Sequence, residues 1–125
     1  MILLLDAHAL IWWFQEDGGL RQEAADAIRS PLNDVLVSAA TVWEIELKRA
    51  RHVLEVPDNV LEASEAAGFS LLPVTAVDGV RAARLPRHHG DPFDRMLVAQ
   101  AMRLDAVLVT RDPASGAYGI PLLAA

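Results

Sequence analysis

Cysteine is absent from this chain of 125 residues. That excludes a disulfide framework and any thiolate metal site, and it suits a reducing cytoplasm. No apolar run reaches the ~20 residues that a membrane-spanning helix needs. The opening residues, Met1 to Leu5, have no basic flank and run straight into Asp6, so they do not read as a signal peptide. A cytoplasmic chain with no membrane partner is the expectation. No glycine-rich phosphate loop is present, and Ser38, Ser64 and Ser115 have no histidine-and-acid pattern nearby that would make one of them a nucleophile. Positive charge is also scarce. Lys and Arg together number 11 against 17 Asp and Glu, a formal charge of -6, which counts at first against a nucleic-acid partner.

The distribution of charge softens that exclusion. The deficit lies in the first 47 residues, where Arg21 and Arg29 face Asp6, Glu16, Asp17, Glu23, Asp26, Asp34, Glu44 and Glu46. The remainder is balanced and holds two basic clusters, one of Lys48, Arg49 and Arg51, the other of Arg81, Arg84, Arg87 and Arg95 with His88 and His89. Every base except Lys48 is arginine, whose planar fork suits phosphate. Clusters of this kind also serve simply as solvated helix faces.

A hydrophobic content of 53% provides for a real core, and the length fits one domain spanning residues 1–125. Continuous apolar runs at Ile2–Leu5, Asp34–Ser38, 69–74 and 106–110 read as strands buried on both faces, with a last short strand at 121–123. Helical stretches separate them at Ala7–Phe14, 20–30, Ala39–Arg51, 60–67, Ala76–Arg84 and Pro92–Leu104. The last of these has Asp91 as N-cap, Pro92 at the first position and Leu97, Ala101 and Leu104 as its inner stripe. Strands alternating with helices imply right-handed βαβ units, hence an α/β fold with a parallel sheet of four to five strands between helical layers. In such a sheet, chemistry is expected at the carboxyl ends of the strands.

Acids stand at those ends. Asp6 follows the first strand and Asp112 comes just after the fourth. Glu44 lies in the helix after the second strand, and Asp94 sits in the first turn of the helix opened by Pro92. Each also has a structural use: Asp6, Asp91 and Asp112 as N-caps, and Asp94 at the positive end of a helix dipole. Glu44, between Trp43 and Ile45 in an apolar stretch, is costly to bury unpaired. A parallel sheet would gather all four into one cleft, where like charges are relieved by a raised pKa or by a hard divalent cation, Mg²⁺ or Mn²⁺. Zinc at His88 and His89 is disfavoured, because adjacent histidines seldom serve one ion and no second ligand pair stands at metal spacing. Trp12 and Trp13 are neighbours on one helix and cannot both face inward, which makes one of them a candidate for a partner surface.

The strings Leu3-Leu4-Leu5-Asp6-Ala7-His8, Val37-Ser38-Ala39-Ala40-Thr41-Val42-Trp43-Glu44-Ile45, Asp91-Pro92-Phe93-Asp94-Arg95-Met96-Leu97-Val98-Ala99-Gln100-Ala101 and Val109-Thr110-Arg111-Asp112 resemble the four acidic motifs of PIN-domain ribonucleases. The resemblance is nearest to the VapC-type toxins of type II toxin-antitoxin pairs, and it runs in the correct order over nearly the whole chain. It implies a three-layer α/β/α PIN-like fold and Mg²⁺- or Mn²⁺-dependent endoribonuclease activity on RNA. It also implies a homodimer and an antitoxin whose C-terminal segment lies across the active-site groove. Carried over by motif, Asp6, Glu44, Asp94 and Asp112 are the catalytic, metal-binding acids, with Asp91 as an added metal candidate. Arg87, His88, Arg95 and Thr110 are candidates for substrate contact. Ala7 departs from the Thr or Ser that many relatives carry after the first aspartate, which removes a hydroxyl beside that carboxylate. The rival reading is a catalytically silent PIN fold that binds RNA or a protein partner. A phosphotransferase using Asp6 as covalent nucleophile is less well matched, since such enzymes carry an acid where this chain has His8.

Overall fold

A computed structural model describes residues 1–15, 18–52 and 54–125. The chain runs β1 (Ile2–Leu5), α1 (Ala7–Phe14), α2 (Gln22–Arg29), β2 (Asp34–Ser38), α3 (Ala39–Arg51), α4 (Val60–Ala66), β3 (Ser70–Leu72), α5 (Ala76–Arg84), α6 (Pro92–Leu104), β4 (Val107–Thr110), a 3-10 turn at Pro113–Tyr118 and β5 (Leu122–Ala124). All strand pairs are parallel, in the order β3-β2-β1-β4-β5. The chain first builds outward from β1 through β2 to β3, then crosses to the other side of β1 for β4 and β5. The order therefore reverses between β1 and β4, and the crevice beyond their carboxyl ends is the expected ligand site of an open α/β sheet.

The central strands are apolar throughout because both faces are covered. Leu3 and Leu5 of β1 pack with Val35, Val37 and Val109 beneath α1 to α4, where Leu10, Ile28, Ile45 and Val60 close the layer. Leu4 points the other way and packs with Leu108 against Leu97, Val98 and Ala101 of α6. The result is three layers, helix on sheet on helix, as the alternating pattern implies. Asp78 joins α5 to α6: it is fully buried, completes a capping box with Thr75 and receives the Arg103 Nε at 2.7 Å. Although burial disfavours its charge, hydrogen bonds from Arg103 and Thr75 hold its carboxyl down to about 2. Among the described residues, no helix is long and apolar enough to cross a membrane.

Trp12 and Trp13 are both half-buried, Trp12 beneath the Arg111 guanidinium and Trp13 against Phe69 and beneath Arg29. The tryptophan that the fold leaves out is instead Trp43, 62% exposed and edge-on to Phe93. Both indoles lean on neighbouring side chains, so neither is fully inward nor fully outward.

Candidate metal centre

Four sequence-distant segments deliver carboxylates to one cavity of about 610 Å³, lined by Asp6, Ala7, His8, Glu44, Lys48, Asp91, Asp94, Arg111, Asp112 and Pro113. Asp6 leaves the end of β1 with 5% of its surface exposed and caps α1, its Oδ1 accepting the Ala9 N–H at 2.8 Å. Asp91 caps α6 with Oδ1, which accepts the N–H groups of Phe93 and Asp94 at 2.8 and 3.2 Å. Asp112 caps the 3-10 turn, its Oδ1 accepting the Ala114 N–H at 2.9 Å. For these three acids, capping and site formation are therefore compatible. The cap engages one oxygen and fixes the rotamer, and the carboxylate still lines the cavity.

The electrostatics of the cavity show strain from like charge. Burial, followed by the charges of Asp91, Asp6 and Glu44, pushes the Asp94 carboxyl up to about 7 despite the favourable presence of His89. Burial raises Asp6 as well, opposed by hydrogen bonds from Thr110 and Ala9. Burial raises Glu44 too, opposed by Lys48, whose Nζ lies 3.3 Å from Glu44 Oε2. Asp112 goes the other way: the Ala114 N–H holds its carboxyl below the usual range, with His89 assisting. Oxygen donors crowded to this degree, with no cysteine in the chain, suit a hard divalent cation, and the residues present fit Mg²⁺ or Mn²⁺.

The hydroxyl absent at Ala7 is made good from another strand. Thr110, at the end of β4 and 4% exposed, bonds the Asp6 side chain and accepts the Asp112 N–H at 3.1 Å. Thr41 donates to the Leu5 carbonyl at 3.2 Å and ties α3 to the strand end that carries Asp6. Thr110 thus stands where it can orient both Asp6 and Asp112.

The basic candidates lie around the loop between α5 and α6. Arg95 is consumed inside the protein, where its guanidinium donates to the carbonyls of Ala82, Leu85, Pro86 and His89 at 2.8 to 3.2 Å and so fastens the end of α5 to the loop before α6. Arg87 and Arg95 line a separate hollow of about 200 Å³, and the His88 ring stands edge-on to Tyr118. The cations that do line the acidic cavity are Lys48 and Arg111. Arg111 is exposed and stacked 4.9 Å over the Trp12 ring, which keeps the guanidinium extended at the rim.

His89 is the site residue that sequence reasoning passed over. Its Nε2 lies 2.8 Å from Asp112 Oδ2 and 3.0 Å from Asp94 Oδ2, while its Nδ1 accepts the Asp91 N–H at 3.1 Å. The available signal was its position, since it directly precedes Gly90-Asp91 on the loop entering the acidic helix.

Comparison with known proteins agrees with this geometry. The family model described as PIN domain matches residues 3–117. Ribonuclease VapC22 of Mycobacterium tuberculosis is 32% identical over 115 residues, covering 88% of this chain and 86% of that protein. Among solved structures, FitAcB from Neisseria gonorrhoeae superposes with a TM-score of 0.70 at 21% identity, covering 98% of this chain and 96% of that one. VapBC2 from Rickettsia felis, bound to a DNA fragment from its promoter, gives 0.70 at 12% identity with 98% of each chain covered. A toxin-antitoxin complex from Klebsiella pneumoniae gives 0.65 at 23% identity, covering 98% and 96%. At these identities the structural likenesses speak for the fold.

Proposed function

This chain belongs to the PIN-domain family, and from that premise we propose that it is a metal-dependent endoribonuclease acting as the toxin of a toxin-antitoxin pair. The observation that carries the reading is the burial of Asp94 beside Asp6, Asp91 and Glu44, which pushes its carboxyl up to about 7. Carboxylates held together against their own repulsion are the expected host of a divalent cation. The name of the Mycobacterium tuberculosis relative supports RNA as the substrate.

Asp6 and Asp94 would hold Mg²⁺ or Mn²⁺, with Glu44, Asp91 and Asp112 lining the same cavity. When bound, the ion supplies a lowered pKa for its water and offsets charge on the phosphodiester. The protein contributes fixed geometry. The Ala9 N–H and the Thr110 hydroxyl orient Asp6, Lys48 steadies Glu44, and the three N-caps hold their acids to single rotamers. Arg111 and Lys48, at the cavity wall, are placed to meet backbone phosphates, a contact that positions RNA without reading its sequence.

The toxin-antitoxin complexes among the similar folds support a protein antitoxin as the partner. Exposed Trp43 of α3, joined edge-on to Phe93 of α6, suits such a contact, because tryptophan is enriched in protein interfaces. A homodimer in the cytoplasm completes the reading.

Incubation of the purified chain with a mixed RNA pool tests it. Cleavage is expected with Mg²⁺ or Mn²⁺ and not with EDTA. Cleavage that survives EDTA contradicts the metal mechanism, and binding without cleavage under every condition favours a silent binding module.

A further inference from the structure

Resting on the reading that the acidic cavity holds a divalent cation, we propose that His89 is that cation's internal competitor: its ring N–H bridges Asp94 and Asp112, and the cation enters by displacing the ring.

The polarity of the ring carries the argument. The backbone N–H of Asp91 lies 3.1 Å from His89 Nδ1, and a backbone N–H can only donate. Nδ1 is therefore the bare nitrogen, and the hydrogen of the neutral ring sits on Nε2. That hydrogen faces Asp112 Oδ2 at 2.8 Å and Asp94 Oδ2 at 3.0 Å, one positive pole between two carboxylates. An imidazole that ligates a metal has the reverse arrangement, with the bare nitrogen toward the ion and the other N–H given to an acceptor. As placed, His89 occupies the position between the acids without being built to bind the ion.

Occupancy of the remaining oxygens sharpens the consequence. Asp112 gives Oδ1 to the Ala114 N–H and Oδ2 to the ring, so both of its oxygens are engaged while His89 stays. The loop around the ring is fixed. The His89 N–H donates to the Tyr118 hydroxyl at 3.0 Å, and the His89 carbonyl accepts from Arg95 at 3.2 Å. Displacement is then a rotation of the side chain about a held backbone. A weakly interacting cation does not dislodge the ring, whereas one that engages Asp94 and Asp112 together does. His89 thereby sets the cation concentration at which the fourth acid becomes available, which makes it a positioning residue of the site.

Calorimetric titration of the full-length protein with Mn²⁺ and with Mg²⁺ tests the proposal. His89→Ala is expected to bind Mn²⁺ about tenfold more tightly than wild type, a difference of ~1.4 kcal/mol. His89→Gln, whose amide retains an N–H donor, is expected to fall between the two. Binding by His89→Ala that is unchanged or weaker overturns the proposal. Should that variant fail to fold, nitrogen-15 imidazole spectra of the wild type decide. The protected Nε2–H signal is expected to vanish at saturating Mg²⁺, and its persistence overturns the proposal. Asp94→Asn separates the two levels. If wild type binds Mn²⁺, Asp94→Asn does not, and His89→Ala gains nothing, only the role of His89 falls. If neither wild type nor His89→Ala binds either ion, the metal reading falls with it.

Discussion

Asp94 shows most clearly what a single residue bears in this protein. Its carboxyl is raised to about 7, first by burial and then by the charge of Asp91, so the folded chain holds a proton that the unfolded chain has released above about 4. Between those values the native state binds more protons than the unfolded state, and stability without added metal must fall as pH rises. Asp6 and Glu44, both raised by burial, act in the same direction. Thermal unfolding in EDTA is thus expected to show a lower Tm at pH 8 than at pH 5. At pH 8, Asp94→Asn is expected to raise Tm by about 5 °C. A variant no more stable than wild type at pH 8 would show that the carboxylates are not in conflict. Not every member of the site was equally legible at this scale. Asp6, Asp91 and Asp112 announce themselves by standing where a strand ends and a helix or turn begins, which is also where a cap belongs. His89 and Lys48 carry no such mark. Lys48 reads as one of three adjacent bases on a helix, and only the turn of α3 selects it to face Glu44. His88 and His89 are neighbours whose side chains diverge, one to Tyr118 and the other to the acids, and the sequence pointed to His88 because adjacent positions carry no mark of which ring faces the cavity.

At the scale of the element, β1, β2, α1, α3, α5 and α6 were legible to their bounds, because continuous apolar runs and cap residues mark both of their ends. The outer elements were not. β3 shrinks from the expected 69–74 to Ser70–Leu72, and the last strand slides to Leu122–Ala124. Both lie at sheet edges, where one neighbour is missing and apolar character outlasts pairing. The helix expected over 20–30 spans Gln22–Arg29, since Leu20 is spent on packing against the core before the helix opens. Arg95 is the clearest case of a residue whose meaning is set by its elements rather than by its charge. It closes the junction of α5 and α6 by donating to the Leu85 and His89 carbonyls, and to the Ala82 carbonyl alongside the Leu85 N–H, and losing it removes a charged donor from all of them. Arg95→Ala is expected to cost about 2–3 kcal/mol, read as a lower urea midpoint with an unchanged slope. Unaltered stability with weakened RNA binding would instead return Arg95 to the substrate surface.

For the molecule as a whole, the net charge of -6 takes on a different meaning once the acids are located. Asp6, Glu44, Asp94 and Asp112 lie in one cavity at the reversal between β1 and β4, where bound Mg²⁺ would offset much of their charge. The acidic balance is then a property of the site, and it ceases to count against RNA. The most direct measurement is the rate at which one mapped site in a single-stranded RNA is cut in saturating Mn²⁺, by wild type and by Asp94→Asn. If Asp94 serves the cation that drives hydrolysis, the variant is expected to be slower by at least about 10³-fold while keeping its fold. A variant that cuts within about tenfold of the wild-type rate would contradict the assignment.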